Sequence, residues 1–330
     1  MQKKLACLIY GNQQHYIDHI APLSYLLDIP LLTNDVDVET KVRTFYPEVD
    51  CLWQDTPDLA RRVGDCDAVI SCMAGGYLKP VLQAHAPSKK SPTYIFCPHG
   101  NSDKDNLQML EKETHLFVYG KQMQERLPRS SFEQNIFFFG DYRRQYYAKK
   151  RAFYQKLSAS FLPRSLQKSS YFLYTPTWAD YERHFSLERL TCFLRQFPRN
   201  VPLVVKLHPN TWLQDEPHLL RLQYTYESQH CCFLENIPLI YPFVERCRAH
   251  IGDGSSIGYD ALLLGKPLFF YTRKQKRSLF SYGKHLFRKN CPQALRNAHI
   301  DQKKSTEFAA YVFTKNVCLR TLKKNLIARL

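Results

Sequence analysis

No stretch of this 330-residue chain approaches the roughly 20 consecutive apolar residues that a membrane-crossing helix requires, so no such helix is expected. The opening Met1-Gln-Lys-Lys-Leu-Ala-Cys-Leu-Ile-Tyr10 has a basic start and a short apolar run. It passes straight into Gly11-Asn-Gln-Gln-His15 with no cleavage region, and we read it as a buried first strand rather than a signal peptide. There is no CxxC pair among the eleven cysteines, and the adjacent Cys231 and Cys232 are poorly placed to bridge to each other. Cys7, Cys72 and Cys97 sit inside apolar runs. Reduced thiols packed as small hydrophobes imply a cytoplasmic protein without a zinc site. A compact carboxylate cluster is also missing, so no obligatory cofactor is predicted, and a divalent metal is allowed but not indicated. The chain has no zinc finger, no RNA-binding aromatic signature and no helix-turn-helix in a basic helix. Nucleic acid is not indicated as a partner.

What is present suits a folded, strongly basic protein. Hydrophobic residues make up 44 % of the chain, and its length suffices for two ordinary domains. The formal charge is +16, with basic clusters at Arg143–Arg151, Arg273–Arg277 and Arg320–Arg329. One such cluster is ordinarily a solvated face. Three of them with a large net excess point to an anionic partner: a phosphorylated substrate or an acidic membrane surface.

Hydrophobic patterning alternates strand and helix. Short apolar runs at Leu5–Tyr10, Ile29–Leu32, Ala68–Cys72, Thr93–Cys97, Leu116–Tyr119 and Ile136–Phe139 read as strands. Helices are expected over His15–Leu27, Pro57–Val63, Tyr77–Ala84, Asp103–Glu113 and Lys121–Leu127. Continuous apolar strands separated by helices mark a parallel sheet covered on both faces. Between Asp141 and Ser170 the chain turns basic and aromatic and lacks a strand, so a domain boundary is expected there. The alternation then restarts with strands at Tyr171–Tyr174, Pro202–Leu207, Cys231–Leu234, Arg248–Ile251 and Pro267–Tyr271. The stretch Thr306–Ala328 is expected to be mostly helical with a basic end. These signals predict an N-terminal domain over 1–150, a linker over 151–169 and a C-terminal domain over 170–330 that carries the closing basic helix. The fold class is α/β, with two doubly wound Rossmann-like domains facing each other across a cleft.

In doubly wound sheets, ligands bind beyond the carboxyl ends of the strands. Four polar loops are expected there: Pro98-His99-Gly100-Asn101, Thr175-Pro176-Thr177-Trp178, Lys206-Leu207-His208-Pro209-Asn210 and Gly252-Asp253-Gly254-Ser255-Ser256. Each alone suits a structural role as well as a functional one. His99 precedes a flexible glycine and can accept a proton near neutral pH, or simply bond a loop backbone. Alternation along a strand places Lys206 and His208 on one side, where a cation and an imidazole suit a diphosphate. Thr175 and Thr177 offer hydroxyls, and Trp178 offers packing or a stacking surface. Ser255 or Ser256 can cap a helix starting near Ile257, and its free amides can seat a phosphate. Asp260, one turn on, can orient a hydroxyl or pair with a lysine.

Taken together and in order, Pro98-His99-Gly100, Tyr174-Thr175-Pro176-Thr177-Trp178, Lys206-Leu207-His208-Pro209-Asn210 and Asp253-Gly254-Ser255-Ser256 with Tyr259-Asp260 resemble the CDP-glycerol glycerophosphotransferase family, the teichoic-acid primases and polymerases. The resemblance is strongest from Tyr171 to Thr272 and reaches back to the His99 loop. It implies a GT-B fold, with the acceptor held by the N-terminal domain and the nucleotide donor by the C-terminal one. By motif, His99 matches the histidine that activates the acceptor hydroxyl, His208 the one that contacts donor phosphates, and Ser255 and Ser256 the serine pair of the donor site. With them, Lys206, Asn210, Thr175, Thr177, Gly254 and Asp260 form the expected donor set. The implied reaction moves glycerol phosphate, or a related group, from a CDP-linked donor to a hydroxyl of a lipid-linked or cell-surface glycan acceptor, releasing CMP. The enzyme is expected to be peripheral on the inner face of the cytoplasmic membrane. Two other readings fit parts of the pattern: a GT-B glycosyltransferase using a CMP- or UDP-sugar, and a non-catalytic nucleotide- or polyanion-binding protein.

Overall fold

The computed structural model describes residues 3–101, 110, 113–127, 135–178, 186–272, 279–286, 295, 299–315 and 317–330. The chain divides into two compact units, one of residues 1–149 with 310–330, the other of residues 150–309.

The first unit is built on seven parallel strands: β1 (Leu5–Ile9), β2 (Leu31–Thr33), β3 (Cys51–Trp53), β4 (Ala68–Ser71), β5 (Thr93–Phe96), β6 (His115–Val118) and β7 (Ile136–Phe138). Their order is β3-β2-β1-β4-β5-β6-β7. Both faces of the central strands are covered, which is why β1 and β4 are buried along their whole length. On one face Ala6, Leu8 and Val69 meet Leu59, Ala60 and Val63 of the helix Thr56–Gly64, and Leu78 and Leu82 of the helix Gly75–His85. The second unit repeats the plan with six parallel strands: β8 (Phe172–Tyr174), β9 (Leu203–Val205), β10 (Cys231–Phe233), β11 (Ala249–Gly252), β12 (Leu268–Phe270) and β13 (Gly283–His285). Their order is β10-β9-β8-β11-β12-β13. Phe172, Tyr174, Val205, Ile251 and Phe269 form its core with Leu190, Phe193 and Leu194 of the helix Leu187–Gln196 and with Leu219 and Leu222 of the helix Glu216–Tyr226.

The α/β class and the doubly wound sheets are as the sequence pattern predicts. Several elements are not. β3 is three residues long and ends on exposed Trp53, while the helix Val36–Phe45 is half polar and rests on its Asp35 cap to Val38 N at 2.9 Å. Neither carries a strong apolar period. The expected linker 151–169 is largely helical, with helices Arg151–Ser160 and Arg164–Lys168. The closing segment corrects the expected 170–330 domain. Residues from Ala310 onward pack with the first unit, where Gly120 and Gly140 admit their backbone. A Cβ on Gly120 would lie 2.4 Å from Val312 O, and one on Gly140 2.2 Å from Thr314 O. Thr314 N donates to Tyr119 O at 2.9 Å, and Arg329 lies over the Phe137 ring. The helix expected over Asp103–Glu113 lies for the most part outside the described residues, as does the basic run Arg273–Arg277.

The first basic cluster also differs from a solvated face. Arg143 is 4 % exposed and pairs with Asp18, itself 3 % exposed, on the helix Ile17–Leu27. Tyr46 and Tyr147 donate to the other oxygen of the same carboxylate. Arg144 pairs with Asp141 at 2.6 Å and Arg151 with Glu245 at 2.8 Å. Among the described residues no helix is long and apolar enough to cross a membrane. Removing one partner of a buried pair strands the other charge. Asp18→Ala is therefore expected to destabilise the fold by about 3–5 kcal/mol, read by urea unfolding, and a loss under about 1 kcal/mol would refute the buried pairing.

Candidate functional site

The strand order of the second unit decides which of its loops are neighbours. β9, β8 and β11 lie side by side, and β8 and β11 flank the switch point of the sheet. Their carboxyl ends carry Lys206–Asn210, Thr175–Trp178 and Asp253–Ser256. The ladders continue past the strand ends, with Lys206 N donating to Tyr174 O and Thr175 N to Ile251 O, both at 2.9 Å. Three of the four predicted loops are thereby brought together.

Asp253 ties two of them. It is buried, and both its carboxylate oxygens accept from Thr177 N at 3.0 Å. Ser255 Oγ donates to Thr175 O at 3.3 Å. Gly254 has φ of +100°, a region that favours glycine, and Phe280 leaves a Cβ there only 3.0 Å of room. The helix Ile257–Leu263 follows. The predicted serine cap is not made. Ser256 has helical angles and makes no side-chain capping bond, because the chain already turns helical at that residue, and the Ser255 hydroxyl is engaged with the Thr175 carbonyl. Asp260 is buried in the first turn of that helix.

Strand alternation does not extend to Lys206 and His208. β9 ends at Val205, and His208 is the N-cap of the helix Pro209–Gln214. Its Nδ1 accepts from Asn210 N at 3.1 Å, so the proton of the neutral ring lies on Nε2. Trp178 stacks against this ring, with centroids 5.9 Å apart. The imidazole is thus oriented from two sides, with its N–H edge as a hydrogen-bond donor.

Thr175 departs from its predicted role. It is fully buried, and its hydroxyl lies 2.7 Å from His250 Nε2. It holds the loop rather than offering a hydroxyl to a ligand. Thr177 is 7 % exposed and is held through its backbone amide. His250 was invisible to motif reading because it lies within an apolar strand, where a histidine reads as packing.

In the first unit the fourth loop is an exposed His99 followed by Gly100 at φ +117°. Tyr119 from the end of β6 straddles it: the hydroxyl accepts from Gly100 N and donates to Pro98 O, each at 3.1 Å. Asn101 is buried and donates to Gln122 at 2.9 Å. The His99 ring packs against Tyr16 at 5.1 Å, His15 at 5.7 Å and His19 at 6.4 Å between centroids. These three come from the turn Gln14–Tyr16 and the helix behind it, and no sequence spacing links them to residue 99. Burial lowers the His15 pKa to about 3, with a further push from His99, and pulls His19 well below the usual range. A neutral, desolvated imidazole pair therefore backs one water-exposed ring. The glycine-rich end of β4 is no vacant anion seat, since Gly75 N donates to both oxygens of buried Glu113, at 2.9 and 3.2 Å. Among the described residues no group of three or more His, Cys, Asp or Glu is placed to hold a metal ion.

No protein-family model matches the chain, and no curated protein matches it. Solved structures do. A variant of the wall teichoic acid polymerase TagF soaked with CDPG superposes with a TM-score of 0.63 at 13 % identity, covering 98 % of this chain and 88 % of that one. MnaA of S. aureus, solved with UDP, gives 0.58 at 10 % identity over 98 % and 95 % of the two chains. The UDP-GlcNAc 2-epimerase of Neisseria meningitidis, bound to UDP-GlcNAc, gives 0.56 at 12 % identity over 99 % of each. At such identity the likeness establishes the fold, which is GT-B with two Rossmann-like domains.

Two measurements test the site geometry. Tyr119→Phe removes the hydroxyl that spans the His99 loop, and is expected to cost about 1–2 kcal/mol, with faster hydrogen exchange at Gly100 N. Unchanged exchange would remove the hydroxyl from this role. The second is pH dependence. His15 and His250 have folded pKa values of about 3, below the ordinary 6.5, so the unfolded chain binds more protons between those values. Their contribution is complete above pH 6.5 and declines as pH falls toward 3. Urea midpoints should drop from pH 7 to pH 5, and drop less in His15→Gln; identical profiles would show that His15 is charged in the fold.

Proposed function

We propose that this chain is a transferase of cell-surface polymer synthesis that moves glycerol phosphate, or a related group, from a CDP-linked donor to an acceptor hydroxyl. The observation that carries the reading is the three-loop cluster at the carboxyl ends of β9, β8 and β11, where Lys206 and an oriented His208 accompany the Asp253–Ser256 turn. That set suits a diphosphate: amides of the turn and a hydroxyl as donors, a cation, and an imidazole N–H. Support also comes from the fold, since TagF has been solved with CDPG and MnaA with UDP.

In the proposed reaction the donor diphosphate sits at Gly254, Ser255 and Ser256, with Lys206, Asn210 and His208 beside it. Thr177 and Asp260 line the same end of the sheet, and buried Thr175 holds the loop. His99 takes the proton of the acceptor hydroxyl. The oxygen attacks the phosphorus that bears the glycerol, a new P–O bond forms, and the P–O bond to CMP breaks. CMP leaves with the bonding electron pair, and Lys206 and His208 offset the charge that develops on it. Positioning and charge supply the rate in such a transfer. The acceptor is a lipid-linked or cell-surface glycan, and the basic surface keeps the enzyme near an anionic membrane.

A nucleotide-sugar transferase is the second reading, favoured by the UDP complex of MnaA and the UDP-GlcNAc complex of the Neisseria meningitidis epimerase. Attack then falls on an anomeric carbon, while the same loops hold the phosphates. A donor panel of CDP-glycerol, CDP-ribitol, CMP-sugars and UDP-sugars, with release of CMP, UMP or UDP measured, separates the two. CMP release from a CDP-polyol is expected; UDP release alone would establish the sugar reading. His99→Ala should lower turnover by at least about 100-fold while donor binding persists, and full activity would remove His99 as the base.

A further inference from the structure

His250 lies on β11, 1 % exposed, and has no part in the reaction just described. Its Nε2 is 2.7 Å from Thr175 Oγ1, and no group among the described residues reaches Nδ1. The pair is hydrogen-bonded in either tautomer: Nε2–H donates to Thr175 Oγ1, or the Thr175 hydroxyl donates to Nε2. The ring also lies against the turn itself. A Cβ on Gly252 would be 2.7 Å from His250 Cε1, and one on Gly258 would be 3.8 Å from the same atom. The imidazole thus supports the backbone on either side of Gly254 and Ser255, while its edge holds Thr175. The Thr175 carbonyl in turn accepts from Ser255 Oγ.

A leucine would fill this space with no unpaired nitrogen. The imidazole carries a desolvation cost that packing alone does not require, and what it adds is the bond to Thr175. We infer that His250 is a positioning residue of the donor-phosphate turn: its Nε2 fixes the Thr175 hydroxyl, and with it the Thr175–Trp178 loop against Gly252–Ser256. This inference rests on the donor-site reading above. Burial lowers the His250 pKa to about 3, so the strut stays uncharged at neutral pH.

The test measures CDP and UDP binding by calorimetry, with urea unfolding in parallel, for the unaltered protein, His250→Leu, Thr175→Val and the double variant. His250→Leu strands the buried Thr175 hydroxyl, so it is expected to lose some stability, and the folded variant is expected to bind CDP about tenfold more weakly. Thr175→Val should lose a similar factor, and the double variant should be no worse than either single one, as for two halves of one bond. Unchanged affinity in both single variants, or additive losses in the double, would overturn the inference and leave the donor reading standing. Failure of the unaltered protein to bind either nucleotide would overturn both. Should His250→Leu not fold, Thr175→Val alone decides: CDP affinity weakened about tenfold supports the inference, and unchanged affinity overturns it.

Discussion

The parallel pairing of β8 with β11 is the constraint on which the second unit's chemistry depends. Ala249, His250 and Ile251 lie in register with Phe172, Leu173 and Tyr174. That seam joins two segments about 77 residues apart in the chain, and three side-chain bonds that shape the Gly252–Ser256 turn cross it. Asp253 reaches back to Thr177, Ser255 to the Thr175 carbonyl, and His250 to the Thr175 hydroxyl. Parallel strands carry their polar loops at a common edge, so the pairing delivers the loops together. β9 on the far side of β8 adds Lys206 and His208 by the same rule. A change in strand order would leave each loop intact and dissolve the cluster.

Burial sorts the titratable groups in both units. Behind exposed His99 stand His15 and His19, both held neutral by desolvation. Beneath the second unit's turn stands neutral His250. The buried cysteines follow the same logic, with the Cys247 thiol pushed up to about 12, so they pack as small apolar groups rather than as nucleophiles. The contrasting case is Asp18 with Arg143, where two charges are buried together and two tyrosines complete the carboxylate's bonds. The guanidinium offsets the carboxylate, and removing either partner would strand the other.

The four loops were legible because each follows an apolar run and ends in residues with distinctive chemistry. Their backbone partners were not. Asp253 reads in the sequence only as one residue of a polar loop, and the structure makes it the clamp on Thr177 N. Thr175 looked like a ligand hydroxyl and is a buried strut. Ser256 looked like a cap and makes no capping bond. His208 and Lys206 were grouped by strand alternation, whereas a helix cap orients the histidine. For Asp253 and Thr175 the deciding partner lies across the seam between β8 and β11, which local sequence does not reveal. Short elements such as β3 and the helix Val36–Phe45 were missed because a few residues of mixed polarity hold too little apolar period to register.

The sequence by itself determined the α/β class, the two doubly wound sheets and the positions of the polar loops. These depend on local apolar periodicity and on turn chemistry, which neighbouring residues carry. Only the tertiary structure decided that the closing segment belongs with the first unit, that His15, Tyr16 and His19 back His99, and that His250 holds Thr175. Those are contacts between elements far apart in the chain. Their specification lies in strand order and in space left by Gly120, Gly140, Gly252 and Gly258, and a glycine in a sequence does not say what will occupy the room it leaves.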